Sequence, residues 1–227
     1  MLQILTKVVS GTKKGIKARL NPRLIFLRKK RCGNRARILD VGAGPTDAAL
    51  IKEAYPKCWL EAVNIWFPDA ATKEYQFFDH AHKIDLNTAG PSILPGKKFD
   101  YVISSHTIEH LKEGEPFLRG LCTQLLKGAH LYLEWPSPES ETFPLSGFGL
   151  NFYDDHTHIK TYSIKEVTEV LQRCGLDILD QRRRRIWFRI ILAPFLIIHR
   201  SIKVRRFVLY DLWDVTGFCN VVEARKR

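Results

Sequence analysis

The sequence predicts one α/β domain built on a doubly wound, mostly parallel sheet of seven strands with helices on both faces. The main observation is that apolar, strand-like runs alternate with helical patterns from residue 35 onward. A chain of 227 residues suits one such domain and is short for two. Its hydrophobic content of 45% supplies a core and excludes a disordered body. We therefore expect a basic N-terminal segment, residues 1–34, followed by a domain covering residues 35–227.

The first half of the chain supplies four strands and one helix. An apolar run at 36–45 ends in a tight glycine turn, and the helix predicted at 46–56 has Thr46 or Asp47 as its N-cap. Three further strands are predicted at 59–66, 82–87 and 99–106. The last of these is apolar on both faces, as expected for an interior parallel strand.

The second half supplies two helices and three strands. The helix predicted at 115–128 ends on Gly128, and glycine is common just beyond helix C-termini. The helix predicted at 161–175 has a capping box formed by Ser163 and Glu166. The remaining strands are predicted at 130–136, 176–181 and 218–226.

Cysteine usage and the N-terminus both favour a cytoplasmic protein. The five cysteines are odd in number and scattered, which argues against a disulfide framework and a structural zinc site. The first twenty residues contain no uninterrupted apolar region and no small-residue cleavage site, so they do not resemble a signal peptide.

The positive charge of the chain is concentrated in two segments. Residues 1–33 contain ten Lys and Arg, residues 181–206 contain nine more, and neither segment contains an acid. The rest of the chain carries 17 basic and 24 acidic residues, although the net charge of the whole chain is +12. We therefore expect the two segments to face an anionic partner.

The glycine turn after the first strand predicts a ligand site at the carboxyl edge of the sheet. Gly42 and Gly44 let a ligand approach the backbone closely. A dinucleotide would require a glycine or alanine at position 47, where Asp47 would repel a pyrophosphate. A ligand that carries a cation and an amino acid moiety fits better, because Asp40 can serve its positive groups. S-adenosylmethionine (SAM) is such a ligand.

Four segments resemble the class I SAM-dependent methyltransferases, which have a Rossmann-like fold. They are RILDVGAGP, FDYVISSHTIEHL, LLKGAHLYLEWP and DDHTHIKTYS, and they span roughly residues 35–180, with the similarity resuming near residue 217. The chain looks most like the small enzymes of polysaccharide and glycolipid biosynthesis. The resemblance implies that Gly42, Ala43 and Gly44 line the amino acid moiety of SAM, with Asp40 beneath.

The resemblance also implies the rest of the cofactor site. Asn64 would bind the ribose hydroxyls, in a position where the family usually has an acid. Asp85 and Leu86 would contact the adenine, and Ser104 and Ser105 would lie beside the sulfonium. Thr46 stands where the family commonly has a third glycine.

Two histidine-rich segments supply candidate catalytic residues. His156, oriented by Asp155, is a candidate general base for methyl transfer to a hydroxyl, and His106 is the competing base. Two alternatives remain. These side chains only form hydrogen bonds within their loop, or a divalent metal binds among the acids and histidines of residues 154–158. No spacing there fixes a coordination geometry, so we assign no metal. The HxxEH pattern at 106–110 is that of an inverted zinc-protease motif, but His106 ends a predicted strand, which argues against a peptidase.

A basic, apolar insert at about 181–210 separates the last two predicted strands. Its apolar stretch, residues 186–198, is too short to cross a bilayer, which takes roughly 20 residues. Arginines beside apolar residues suit the surface of an anionic membrane, with Trp187 at headgroup depth. The apolar residues 24–27 of the N-terminal segment would lie beside it. The alternatives are a lid over the active site and nucleic-acid binding, which the absence of a recognisable RNA-binding module makes less favourable.

The sequence thus predicts a cytoplasmic methyltransferase, peripheral on the inner face of the membrane. It would use SAM, release S-adenosylhomocysteine and O-methylate a sugar of a surface glycan or lipid-linked glycan precursor. An RNA or small-molecule methyltransferase remains an alternative, as does a non-catalytic binding module on the same scaffold.

Overall fold

A computed structural model describes residues 21–67, 76–89, 92–144, 147–205 and 209–227. Most of the predicted N-terminal segment, residues 1–20, lies outside the described residues, as do residues 206–208 of the insert. The same holds for the side chain of Thr46.

The described strands form one seven-stranded sheet in the order β3-β2-β1-β4-β5-β7-β6. The strands are β1 Arg37–Val41, β2 Trp59–Asn64, β3 His80–Lys83, β4 Phe99–Ser105, β5 Leu125–Pro136, β6 Leu176–Arg183 and β7 Cys219–Lys226. Strands β1 to β5 are parallel to one another, and β7 runs antiparallel to both β5 and β6. The predicted Rossmann-like, mostly parallel sheet is confirmed.

Helices cover both faces of this sheet. They are α1 Pro22–Lys29, α2 Pro45–Ala54, α3 Gly114–Thr123, α4 Ile164–Arg173, α5 Trp187–Val204 and α6 Trp213–Thr216. Apolar residues of α1 and α2 form a core on one face, and those of α3 and α4 form a core on the other. The predicted capping box of α4 is present, since Ser163 Oγ accepts from Glu166 N–H and Glu166 accepts from Ser163 N–H.

Several predicted element boundaries are wrong; the third strand, for example, is His80–Lys83 and not residues 82–87. Gly44 is the N-cap of α2, and the helix begins at Pro45, a residue whose fixed φ suits the first helical position. Helix α3 ends at Thr123, five residues before the predicted Gly128, and β5 begins at Leu125. Gly128 instead has a φ of +79° within a bulge of β5, where the pairing with β4 shifts register.

The described part of the N-terminal segment packs on the sheet. Asn21 caps α1, and Leu24, Phe26 and Leu27 are at most 1% exposed. These three residues therefore belong to the core, so the expectation that residues 24–27 lie on a membrane is wrong.

The predicted insert forms the 18-residue helix α5, which contains Pro194. Its N-terminal end is near β7 because Arg184, just before the helix, donates its backbone N–H to the carbonyl of Cys219. Among the described residues, no helix is long and apolar enough to cross a membrane.

Candidate functional site

The turn after β1 packs so closely on the end of β4 that residue 42 must be a glycine. Gly42 has a φ of +75°, and a Cβ placed there would lie 1.9 Å from Thr107 Oγ1. Thr107 Oγ1 in turn donates to the carbonyl of Val41. The N–H groups of Gly42 and Ala43 both donate to the carbonyl of Val63 on β2, at 2.8 and 3.3 Å. These contacts hold the turn against its neighbours.

Gly44 differs from Gly42 because it faces open space. A Cβ at Gly44 would meet no described heavy atom within 4 Å, and its φ of −92° suits any residue. Asn64 steadies this part of the turn, since its amide Nδ2 donates to the carbonyl of Ala43 at 3.0 Å. Asn64 Oδ1 accepts from the N–H of Ile65. The turn is therefore held by hydrogen bonds to β2 and has open space beside Gly44.

A buried arginine from α1 lies at the carboxyl end of β1. The Nη1 atom of Arg23 is 2.6 Å from Asp40 Oδ2 and 3.1 Å from Asp47 Oδ2. Its Nε donates to Ser105 Oγ at 3.4 Å. Asn21 donates to the other oxygen of Asp47, so α1 is tied directly to the predicted cofactor turn.

Asp40 retains an unused acceptor. The residue is fully buried, and its Oδ1 has no hydrogen-bond partner among the described residues. Burial raises the pKa of Asp40 to about 7, and the Arg23 guanidinium opposes the rise. An orphaned acceptor and a cation side by side match the ammonium and carboxylate of an amino acid moiety.

The residues predicted to contact adenine follow β3. Asp85 Oδ1 accepts from the N–H of Asn87 at 2.9 Å and so closes a local turn. Leu86 is half-buried against the core on the α3 and α4 face. Because β1 and β3 are parallel within the sheet, both residues lie at the edge where the glycine turn lies.

His106, which directly follows β4, is held between two carboxylates. Its Nδ1 lies 3.1 Å from Glu109 Oε1, and its Nε2 lies 3.1 Å from Glu134 Oε1. Burial alone would lower the pKa of His106, but Cys219, Glu109 and Glu134 together raise it well above its ordinary value. The geometry therefore favours an imidazolium that donates from both nitrogens, which disfavours the predicted role of His106 as a base.

Glu134 connects His106 to the arginine-rich segment. Arg184 Nη1 lies 2.5 Å from Glu134 Oε1, and Arg184 Nε lies 3.1 Å from the buried carboxylate of Asp214. Tyr132 also donates its hydroxyl to Glu134. Burial would raise the pKa of Glu134, but Arg184 and His106 hold it far below its usual range. Arg184, expected to face an anionic partner, is therefore an internal counter-ion.

The loop before α4 does not pair Asp155 with His156. Asp155 Oδ1 accepts from the backbone N–H and the hydroxyl of Thr157, at 2.9 and 2.6 Å. Asp155 Oδ2 lies 3.8 Å from His158 Nε2. His156 is exposed, and its ring has no hydrogen bond to any described residue. His158, rather than His156, is the histidine beside Asp155.

A family model described as a methyltransferase domain matches residues 14–181. The chain belongs to this methyltransferase family. The predicted enzyme class is thereby confirmed. The match ends where the arginine-rich segment begins, so α5 and β7 lie beyond it.

Solved structures share the fold of this methyltransferase at low sequence identity. A SAM-dependent methyltransferase from Archaeoglobus fulgidus is 20% identical, with a TM-score of 0.54 over 89% of this chain and 92% of that one. Phosphoethanolamine N-methyltransferase 2 from Haemonchus contortus, solved with SAM, is 15% identical, with a TM-score of 0.61 over 89% of this chain and 51% of that one. The cyclase SpnF is 19% identical, with a TM-score of 0.56 over 90% and 80%. These likenesses establish the fold alone. No curated protein matches the sequence.

Two buried charged residues that contact predicted site residues are not themselves predicted from the sequence. Arg23 belongs to the basic segment that is predicted to face an anionic partner. The Asn21-Pro22 pair before it is, however, a helix start signal. Glu134 was read only as part of a strand, and nothing local to it signals that it faces His106. Of the predicted site residues, the structure brings Asp40, Ser105 and the glycine turn together.

Proposed function

We propose that this methyltransferase transfers a methyl group from SAM to a sugar hydroxyl of a surface glycan or lipid-linked glycan precursor, while lying on an anionic membrane. The observation that carries the proposal is an exposed apolar stripe on α5. Ion pairs connect this helix to Glu134 at the edge of the sheet. Docking on a membrane supports this class of acceptor, because a lipid-linked glycan is presented at that surface.

The residues around the glycine turn fit SAM. When bound, SAM supplies an electrophilic methyl group on a sulfonium. Asp40 Oδ1 is an unpartnered acceptor for its ammonium group, and Arg23 is a cation for its carboxylate. The open space at Gly44 leaves room for a ligand against the backbone. Each of these features belongs to this chain and does not depend on the solved relatives.

The acceptor hydroxyl needs a residue that takes its proton. His106 is held as a cation by two carboxylates that engage both of its N–H groups, so it is not available to take that proton. His156 is exposed, and its ring has no hydrogen bond to a described residue, so it is free to contact an acceptor hydroxyl. We therefore retain His156 as the candidate base and assign Asp155 to the loop, where it holds Thr157.

The apolar stripe occupies one face of α5. Its members recur every three or four residues, the spacing that places side chains on the same side of a helix. They are Trp187 at 68% exposed, Ile191 at 64%, Phe195 at 73%, Ile198 at 60% and Ile202 at 73%. The stripe is about 22 Å long at 1.5 Å per residue, and exposed apolar surface of this extent marks an interaction site.

The charges around the stripe favour an anionic membrane over other partners. Five of the nine basic residues in 181–206 are used in ion pairs within the chain, namely Arg182, Arg183, Arg184, Arg189 and Arg200. Arg185, Lys203 and Arg205 are exposed and form no ion pair with described residues. Three free cations beside an acid-free apolar stripe suit a lipid headgroup layer, whereas RNA needs a broader array of cations.

The stripe is physically linked to the site. Arg189 of α5 lies 2.8 Å from Asp214, which Arg184 also contacts, and Arg184 contacts Glu134 beside His106. A membrane bound to α5 would therefore lie close to the acceptor side of the sheet edge.

Vesicle flotation tests the docking step. We expect the chain to float with vesicles of phosphatidylcholine plus phosphatidylglycerol and to stay behind with phosphatidylcholine alone. Phe195→Asp should lower binding at least about tenfold, because burying a phenylalanine is worth about 2 kcal/mol. Leu126→Asp is the matched control, since Leu126 is 40% exposed and lies outside the stripe. Equal flotation of both variants, or a dimer in solution that Phe195→Asp disrupts, would overturn membrane docking.

Transfer of label from isotopic SAM tests the reaction. We expect a methyl ether on the sugar of lipid-linked glycan extracts, with far less label on the same glycan after its lipid is removed. Label only on RNA or on a small metabolite would contradict the proposal. A folded chain that does not bind SAM would favour the non-catalytic alternative.

A further inference from the structure

Two histidines and a buried glutamate converge beside the site described above. Glu109 and His110 belong to the short 3-10 helix Ile108–His110 after β4, and His158 lies in the loop before α4. One donor atom from each of the three side chains lies within 4.8 Å of the others. The loop is fixed at this position because Ile159 N–H donates to the carbonyl of Glu109 at 2.7 Å.

Glu109 brings an unused oxygen to this cluster. The residue is 0% exposed, and its Oε1 is engaged with His106. Its Oε2 is buried with no hydrogen-bond partner among the described residues. A buried carboxylate oxygen without a partner is costly, and a cation would remove that cost.

The two histidines are held as metal ligands usually are. His110 Nδ1 lies 3.2 Å from the carbonyl oxygen of Thr157 and 2.9 Å from its hydroxyl, which donates its own proton to Asp155. His158 Nδ1 lies 2.6 Å from the carbonyl oxygen of Phe152. A carbonyl can only accept, so each Nδ1 carries the proton and each Nε2 keeps its lone pair. Ligating histidines typically donate their other nitrogen to a carbonyl or carboxylate in this way.

The donor set selects the kind of cation. Two imidazoles and one carboxylate suit Zn²⁺ and similar transition metals, whereas Mg²⁺ and Ca²⁺ favour oxygen ligands. Ligand atoms around zinc are about 3.4 Å apart, so donor atoms that lie within 4.8 Å of one another would approach by at most about 1.4 Å on binding. Asp155 Oδ2, 3.8 Å from His158 Nε2, is the nearest further carboxylate oxygen.

A second cluster, formed by His106, Glu134 and Cys219, is less suited to binding a metal ion. Both nitrogens of His106 already face carboxylates, and Arg184 neutralises Glu134 at 2.5 Å. The cation in that cluster is therefore an arginine of the chain itself.

We propose that Glu109, His110 and His158 bind one divalent transition-metal ion, Zn²⁺ or a close analogue, with at least one coordination position left open. An acceptor hydroxyl bound at the open position would be more acidic and fixed in place. This last role rests on the proposed function, whereas metal binding does not.

Calorimetric titration of the chelator-treated full chain with zinc chloride tests the proposal. We expect one ion per chain, and affinity at least about tenfold lower in His110→Asn and in His158→Asn. His156→Asn is the matched control for binding, because His156 is exposed two residues away from His158. Visible absorption of the cobalt-loaded chain should report nitrogen and oxygen ligands and be lost in the same two variants.

The result has clear alternatives. No uptake of zinc by the folded chain would overturn the metal site, and so would equal affinity in the wild type and both histidine variants. Loss of binding in His156→Asn as well would place the ion elsewhere. A SAM titration of the same samples keeps the proposals separate, since a chain that binds SAM but no zinc fails only this inference.

Discussion

Arg23 of α1 and Asp40 of β1 form a buried ion pair, with Nη1 2.6 Å from Oδ2. Removing one partner of such a pair leaves an uncompensated charge and typically costs about 3–5 kcal/mol. The pair thus links the stability of the domain to its cofactor turn.

Arg23→Met should make the free energy of unfolding more sensitive to pH. Burial already raises the pKa of Asp40 to about 7, above its unfolded value, so the folded chain binds more protons between about pH 4 and 7. Stability therefore falls as pH rises through that window, and loss of Arg23 should raise the pKa of Asp40 further and extend the fall above pH 7. Urea unfolding at pH 5.5 and pH 8 measures this effect, with Arg35→Met as the exposed control. An equal loss at both pH values would contradict it.

Gly44→Val should abolish SAM binding while the fold remains. The Cβ of the new side chain would meet no described heavy atom within 4 Å, so the side chain would extend into the space proposed for the ligand. Gly42→Ala should instead destabilise the whole domain, because its Cβ would lie 1.9 Å from Thr107 Oγ1. Calorimetry with SAM and thermal unfolding of both variants separate the two effects. Unimpaired SAM binding by Gly44→Val would place the cofactor elsewhere.

Glu61→Gln should flatten the acid side of the stability curve. Burial would raise the pKa of Glu61, but Lys97, Trp59 and His82 lower it to about 2. A depressed pKa gives stability that is present above the unfolded value and lost as pH falls through about 4.5 to 2. The wild type should lose on the order of 2 kcal/mol more than the variant over that window. Parallel curves in urea unfolding from pH 6 to pH 3 would refute this.

His156→Ala should lower turnover about a hundredfold and leave SAM affinity unchanged, as expected for loss of a general base. His199→Ala is the control, since His199 is exposed on α5, away from the loop. Steady-state rates with the identified acceptor and a SAM titration provide the two measurements. A rate equal to that of the wild type would remove His156 from the reaction.

Asp214→Asn should loosen the N-terminal end of α5. Asp214 is fully buried, accepts from Arg184 and from the backbone N–H of Ile186, and lies 2.8 Å from Arg189 Nε. Loss of its charge leaves two guanidinium groups undercompensated, so trypsin should cleave within residues 182–189 sooner than in the wild type. Glu169→Gln, an exposed site on α4, is the control. An identical digestion time course would show that the ion pairs do not hold the helix.

The sheet could be predicted from the sequence because strand and helix periodicity are local properties. All seven strands were placed, although β5 begins earlier than expected, since Gly128 lies in a bulge and does not end a helix. The glycine turn can also be predicted from the sequence, because its residues are contiguous.

Contacts between distant residues could not be predicted in the same way. Arg184 is one of four consecutive arginines, and its neighbours Arg183 and Arg185 are more exposed than Arg184 itself. Only the fold shows that its counter-ions, Glu134 and Asp214, lie 50 and 30 residues away. The expectation of a uniformly outward-facing basic segment therefore failed at the residues that are paired.

Helix α5 has a consequence for any attempt to shorten this protein. Asp211 is 2% exposed, and its ion-pair partners, Arg189 and Arg200, both come from α5. A version trimmed of this helix would lose both of these partners of Asp211, as well as the Arg189 contact with Asp214. The helix is thus an integral part of the domain. A shortened protein that lacks α5 should also carry a neutral residue in place of Asp211.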